Sequence, residues 1–321
     1  MRASHSISKA LLLFALLLAA CSPTAPSPTP VVETVILELP VTVQVTRVVQ
    51  ATAVVEVPSE QAAPGTGAAI PRTEVRTLVS SVSGQEYRIS VALPLTYGQD
   101  AGNTYPVVYL LDANMWFGMA TEITRLLYFY REELPEVIVV GIGYTTDDPN
   151  EVKDLRLSDL TPTQTEAGTG QAEQFLQFLQ KDVIPSIEAR YRADPVDRTL
   201  VGQSLGGLFA LYVLFHAPET FQRYVVCSPS LWWDGKVAFD YEEEFATQHS
   251  DLPAKLFLSV GELEEQEWLG VGMVTNVQAL HQKLEDRNYA GLEMDMAIMA
   301  GETHSSAFPG AFTRGLKTVF H

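Results

Sequence analysis

From Arg72 to the C-terminus, short runs rich in Val, Ile and Leu alternate with longer stretches of helical period. This alternation constrains the fold more than any other feature. Residues 85–95, 107–111, 137–142, 199–201, 224–227, 255–260 and 294–299 read as strands. Several are almost unbroken in branched apolar residues, as strands covered on both faces must be. Helical stretches fall at 115–132, 172–191, 205–215, 271–287 and 308–320. In 172–191, Phe175, Leu179, Val183 and Ile187 recur every four residues, so that helix should be amphipathic. The pattern predicts one α/β domain over 73–321, with a mostly parallel central sheet and helices on both faces. Sheets of this kind bind ligands at the carboxyl ends of their strands, so chemistry is sought in the loops just after each strand.

The N-terminus has a different character. Arg2 and Lys9 precede an apolar run, 10–20, that is too short to span a bilayer core of about 30 Å as a helix. Basic start and short apolar run together read as a signal peptide, residues 1–20. The run ends in Leu18-Ala19-Ala20-Cys21, which resembles the lipobox of bacterial lipoproteins and makes Cys21 the expected lipidation site. Residues 22–72 hold eight of the 19 prolines, and no aromatic residue lies between Phe14 and Tyr87. A stretch so poor in large apolar side chains is expected to be a Pro/Thr/Val-rich stalk, 21–72. The resulting expectation is an exported protein held on the extracytoplasmic face of a membrane by a lipid anchor.

With 21 Lys+Arg against 39 Asp+Glu, the chain carries a formal charge of −18. Basic and acidic residues cancel up to Arg72, so the excess acid belongs to the folded part. Such a surface repels phosphate backbones, which argues against a nucleic-acid partner. Two cysteines, Cys21 and Cys227, are too few for a disulfide framework or a cysteine-rich metal site. The chemistry below requires neither a metal nor a cofactor.

Gly202-Gln203-Ser204-Leu205-Gly206-Gly207 links a strand to a helix through Gly-x-Ser-x-Gly. A serine presented at the sheet edge needs a turn so tight that its neighbours lose their side chains. The helix that follows aims its positive end, and the Leu205 N–H, at the place where an oxyanion forms. In this architecture the acid and then the histidine follow the serine in the chain. Of His281, His304 and His321, only His304 lies in a post-strand loop; His281 sits within a helix and His321 ends the chain. The acid should follow strand 255–260, where Glu262, Glu264, Glu265 and Glu267 are four carboxylates that spacing does not separate. After strand 107–111, the turn Asp112-Ala113-Asn114 offers the Asn114 N–H as a second oxyanion donor.

Three segments together resemble a known family: Gly-Gln-Ser-Leu-Gly-Gly at 202–207, Tyr-Pro-Val-Val-Tyr-Leu-Leu-Asp at 105–112 and Ser-Pro-Ser-Leu-Trp-Trp at 228–233. They are similar to the esterase D and enterochelin esterase-like branch of the α/β-hydrolases. That branch includes siderophore esterases, feruloyl esterases, S-formylglutathione hydrolase and mycolyltransferases. The resemblance implies a serine carboxylesterase fold and activity, acting on a catecholate trilactone or another bulky or aromatic ester. It places the acid three residues after a post-strand glycine, on Glu264, although some relatives rely on a Ser–His pair. It places the second oxyanion N–H on Asn114. Here Ala113 stands where relatives often have glycine, and Glu264 where many have aspartate. A family loop near the substrate matches Arg156, which either binds an anionic part of the ligand or pairs with Asp159. Trp116, Trp232, Trp233 and Trp268 all follow strand ends, so some are expected to wall the pocket. Two alternatives share these residues: an acyltransferase, in which an alcohol outcompetes water, and a non-catalytic exported binding lipoprotein.

Overall fold

The computed structural model describes residues 69–99, 102–267 and 270–321. The expected signal peptide, Cys21, the stalk up to residue 68 and Trp268 lie outside the described residues. Among the described residues, eight strands form one sheet in the order β1-β2-β4-β3-β5-β6-β7-β8. They are β1 (Thr73–Val79), β2 (Glu86–Ala92), β3 (Tyr105–Leu110), β4 (Ile138–Tyr144), β5 (Ala193–Gln203), β6 (Arg223–Cys227), β7 (Asp251–Gly261) and β8 (Ala290–Met299). β2 runs antiparallel to β1 and β4, and every other pairing is parallel. The sheet is therefore mixed, with a parallel block that carries the candidate chemistry.

The inner strands read as apolar runs because both faces are covered. Val107, Tyr109, Leu200, Tyr224, Val226, Leu256 and Leu258 point into one core, while Val108, Leu110, Val201, Val225 and Phe257 point into the other. The larger core lies under α3 (Ala172–Phe178), α4 (Ile184–Arg190), α5 (Leu205–His216), α6 (Val237–Gln248) and α8 (Met273–Arg287). The smaller lies under α1 (Ala113–Arg131) and α9 (Ala307–Phe320). Gly315 lets α9 lie close on the sheet: a Cβ there would come within 2.5 Å of Val225 and 2.8 Å of Phe257.

The expected helix 172–191 runs without a break from Ala172 to Arg190, but not as a regular α-helix. α3 passes into a π-helical turn, Leu179–Val183, before α4 begins. Pro185 supplies the reason: it has no N–H for the helical ladder, and its ring crowds the carbonyl four residues back. β1, α6 and two further helices, α2 (Pro149–Asp159) and the short α7 (Glu264–Glu267), are additions to the expected elements. Asp148 caps α2, accepting from Asn150 N at 2.9 Å and Glu151 N at 3.2 Å, and Pro149 opens its first turn. Among the described residues no helix is long and apolar enough to cross a membrane.

Candidate active site

The parallel block brings the ends of β5, β6, β7 and β8 to one edge of the sheet, and the Ser204 and His304 loops with them. Ser204 occupies the bend between β5 and α5, with φ 60° and ψ −118°. A non-glycine residue held at positive φ is strained, and strain of this kind persists only where the surroundings over-determine it. Here the Ser204 N–H donates to Cys227 O at 3.0 Å, and the Ser230 N–H donates to Ser204 O at 3.1 Å. Gly202 is demanded by the bend, because a Cβ there would lie 2.1 Å from Gly206 O. Ser204 Oγ is half-buried and 3.4 Å from Ser230 Oγ.

His304 stands in the loop between β8 and α9. Its Nδ1 lies 2.7 Å from Glu264 Oε2, and Glu264 is fully buried. The other Glu264 oxygen accepts from Ser228 Oγ at 2.5 Å and from Gly261 N at 2.6 Å. This carboxylate is therefore satisfied at both oxygens and oriented on the ring. Gln203, next to Ser204, donates its side-chain amide to His304 O at 2.7 Å and ties the two loops together.

The structure gives each of the four neighbouring glutamates a separate task. Glu262 accepts from Gly301 N at 2.7 Å, and Glu267 accepts from His304 N at 2.9 Å. Glu265 caps α8, accepting from Val274 N at 2.8 Å and Thr275 Oγ1 at 2.6 Å. Only Glu264 meets the imidazole. Of the other histidines in play, His281 lies on α8 with Nδ1 3.7 Å from Glu285, and His321 is exposed at the chain end.

Leu205 is the first residue of α5 and Asn114 the second of α1, positions whose N–H groups have no partner within the helix. The two helix starts abut, since a Cβ on Gly206 would lie 3.4 Å from Asp112 Oδ2. Asn114 is clamped to the end of β4: Tyr144 N donates to its Oδ1 at 2.7 Å, and its Nδ2 donates to Tyr144 O and Thr146 O, both at 3.0 Å. Gly143 leaves room for this clamp, because a Cβ there would fall 2.4 Å from Asn114 Oδ1.

Arg156 pairs with Asp112 and not with Asp159. Its Nε and Nη2 fork the two Asp112 oxygens, the second at 2.8 Å. Asp112 begins α1 in the left-handed region, φ 56°, with its carboxylate 2% exposed. Asp159 instead accepts from Tyr87 Oη at 2.9 Å, and burial pushes its carboxyl up to about 7. The sequence separation between positions 112 and 156 hides their pairing from any local pattern.

The tryptophans divide. Trp116 packs on Phe308 with ring centroids 4.8 Å apart, and Trp233 is buried with its Nε1 donating to Thr163 Oγ1 at 3.0 Å. Trp232 alone of these three is exposed, at 36%. A hollow of about 340 Å³ opens beside the start of α1, lined by Asn114, Met115, Asp147, Pro149, Val152, Lys153 and Arg156. Sequence reasoning missed Ser228, Ser230 and Gln203 as supporting groups, although Ser228 and Ser230 lie in the Ser-Pro-Ser-Leu-Trp-Trp segment it had singled out.

Comparison with known proteins agrees with this architecture. The profile of the family described as Putative esterase matches residues 80–317. The ferri-bacillibactin esterase BesA of Bacillus subtilis is 33% identical over 268 residues, covering 78% of this chain and 91% of the relative. Among solved structures, the siderophore hydrolase EstB from Aspergillus nidulans is similar with a TM-score of 0.72 at 27% identity, covering 80% of this chain and 98% of the other. An IroE-like serine hydrolase from Shewanella oneidensis gives a TM-score of 0.69 at 28% identity, covering 77% and 80%. The chain belongs to the Putative esterase family and is a carboxylic ester hydrolase of the α/β-hydrolase type.

Proposed function

We infer that this protein is an exported, lipid-anchored serine esterase that opens ester bonds of siderophores, with Ser204, His304 and Glu264 as its triad. The observation that carries the mechanism is the 2.7 Å contact between Glu264 Oε2 and His304 Nδ1. A carboxylate there holds the Nδ1–H tautomer, which leaves Nε2 as the acceptor for a serine proton. Ser204 Oγ attacks the ester carbonyl as His304 takes its proton, and the carbonyl oxygen becomes an oxyanion. The Leu205 and Asn114 N–H groups receive that charge at the two abutting helix starts. His304 then returns the proton to the departing alkoxide, leaving an acyl-serine. Water, deprotonated by the same imidazole, attacks this ester and releases the acid. The buried Glu264 stabilises the imidazolium in both halves.

The substrate class is supported by the named activities of the relatives and by the hollow beside α1. Met115, Pro149 and Val152 offer an apolar wall, and Lys153 brings positive charge to it, the Asp147 and Arg156 charges there being paired with Arg88 and Asp112. An aromatic arm carrying phenolate charge matches both features. Lipidation at Cys21, within the Leu-Ala-Ala-Cys motif, would hold the enzyme outside the cytoplasm, where siderophores pass.

The test is hydrolysis of a catecholate trilactone, with p-nitrophenyl acetate as a generic ester, by wild type and Ser204→Ala. Loss of at least about 10³-fold in kcat is expected for the variant, together with loss of fluorophosphonate labelling. A Ser204→Ala protein that turns over at the wild-type rate refutes the mechanism. Wild-type indifference to the trilactone, with brisk acetate hydrolysis, refutes the substrate.

A further inference from the structure

Ser204 and His304 come from strands that are not neighbours. β6 and β7 lie between β5, which ends just before Ser204, and β8, which leads to His304. At about 4.8 Å per strand spacing, β5 and β8 are about 14 Å apart. Proton transfer needs the two side chains within about 3 Å, so the His304 loop has to reach back across the strand ends. Its bonds to the acid loop hold it on the far side of that gap. Glu262 N donates to Met299 O at 2.9 Å and Leu263 N to Glu302 O at 3.0 Å, while Glu262 and Glu267 accept from Gly301 N and His304 N. All of these run to the loop after β7, and by themselves they leave the distance to β5 unset.

Gln203 spans that distance. It is the last residue of β5, 7% exposed, and its side-chain amide donates to His304 O at 2.7 Å. Strand alternation puts it on the same face as Val201, which packs in the core under α9, and the His304 loop leads into that helix. Its backbone continues directly into Ser204. One residue thus carries the nucleophile on its main chain and holds the main chain of the base with its side chain.

We propose that Gln203 is a positioning residue: its amide sets how far the His304 loop overhangs the nucleophile turn, and with it the reach of the imidazole to Ser204 Oγ. This rests on the reading of Ser204 and His304 as nucleophile and base. Glu264 orients the ring through Nδ1, and Gln203 places the backbone that carries the ring. Without the amide, His304 O loses a donor and the loop loses its tie to β5, while Glu264 still faces Nδ1. The ring then keeps its tautomer but stands at the wrong distance, which slows the chemical step and leaves ester binding unchanged.

The experiment uses the full chain as wild type, Gln203→Met and Gln203→Glu. It measures kcat and KM for p-nitrophenyl acetate between about pH 5.5 and 9, with thermal unfolding as the control for fold. Methionine keeps the length of glutamine and removes the donor. At about pH 8, Gln203→Met should lose about ten- to a hundredfold in kcat with KM within about twofold, and fluorophosphonate labelling should slow by a similar factor. Glutamate adds a switch. Protonated, its carboxyl donates to His304 O as the amide does; ionised, it sets an acceptor against an acceptor. Glu264 and Glu267, both bonded to His304, are like charges that keep an introduced carboxyl protonated to higher pH. The ratio of Gln203→Glu to wild-type kcat should therefore fall at least about fivefold as pH rises across this range, a dependence that lost stability alone does not produce. A folded Gln203→Met enzyme with kcat within about twofold of wild type overturns the proposal, and so does a Gln203→Glu ratio that stays flat. If Gln203→Met does not fold, the Gln203→Glu ratio decides. Absence of fluorophosphonate labelling at Ser204 in wild type overturns the serine mechanism itself. Labelling of Gln203→Met at the full wild-type rate overturns only the role given to Gln203.

Discussion

Replacing Glu264 by Gln changes one atom and should reverse the polarity of the imidazole. Both carboxylate oxygens are committed: Oε1 accepts from Gly261 N at 2.6 Å and Ser228 Oγ at 2.5 Å, while Oε2 faces His304 Nδ1 at 2.7 Å. The glutamine has one acceptor to serve these two sites. If its oxygen stays with Gly261 and Ser228, its NH2 points at Nδ1, which must then accept. The ring proton moves to Nε2, and the imidazole can no longer take the serine proton. If the amide flips, its NH2 meets the Gly261 N–H, a backbone donor that cannot turn away. Ser228 can rotate its hydroxyl, but the loss at Gly261 costs about 1–3 kcal/mol in a fully buried place. The first orientation wins, and with it the wrong tautomer. The expected loss in kcat/KM is about 10³–10⁴-fold, or about 4–5.5 kcal/mol of transition-state stabilisation. Steady-state hydrolysis of p-nitrophenyl acetate measures it, with thermal unfolding to confirm that the fold is kept. A folded Glu264→Gln enzyme within about threefold of wild type would show that Ser204 and His304 work as a pair, with Glu264 only bracing the loop.

Two further outcomes test the surroundings. Arg156→Met strands the Asp112 carboxylate, 2% exposed, without its cation and should cost about 3–5 kcal/mol in urea unfolding; adding Asp112→Asn should recover much of that, and a single-variant loss under about 1 kcal/mol would refute the pairing's importance. Burial pushes the Cys227 thiol up to about 12, so iodoacetamide at about pH 8 should leave the Cys227 peptide unmodified in the native protein and modify it after denaturation; rapid native labelling would refute this.

The inner strands of the parallel block, β3 to β7, were legible because their central residues are buried on both faces, so composition alone marks them. β1 was not, because none of its seven residues is buried and its Val75, Leu78 and Val79 do not alternate with the polar residues between them. α2 and α6 escaped for a related reason. Their buried positions include charged residues, Asp159 in α2 and Glu242 in α6, and the latter is neutralised by Arg287 at 2.9 Å and Lys283 at 3.1 Å from a distant helix. A hydrophobic pattern cannot register a core position held by ion pairing. At the site, the nucleophile motif and the order of residues single out Ser204 and His304. Choosing among four glutamates required knowing which carboxylate points inward, a matter of loop geometry that spacing does not carry. The Arg156 pairing failed for the same reason, since Asp159 was nearer in sequence and Asp112 nearer in space.

Residues 227–230 have a bearing on how this enzyme could be altered. Cys227 and Ser230 grip the backbone of the nucleophile, and Ser228 hooks the carboxylate that faces the histidine. One short lintel thus sets the spacing between the attacking oxygen and the machinery that deprotonates it. Trp232, the exposed ring nearest in sequence, hangs two residues from that lintel. Substitutions meant to reshape which ester is accepted will therefore tug on the attacking group as well, so selectivity and turnover should change together when this loop is edited.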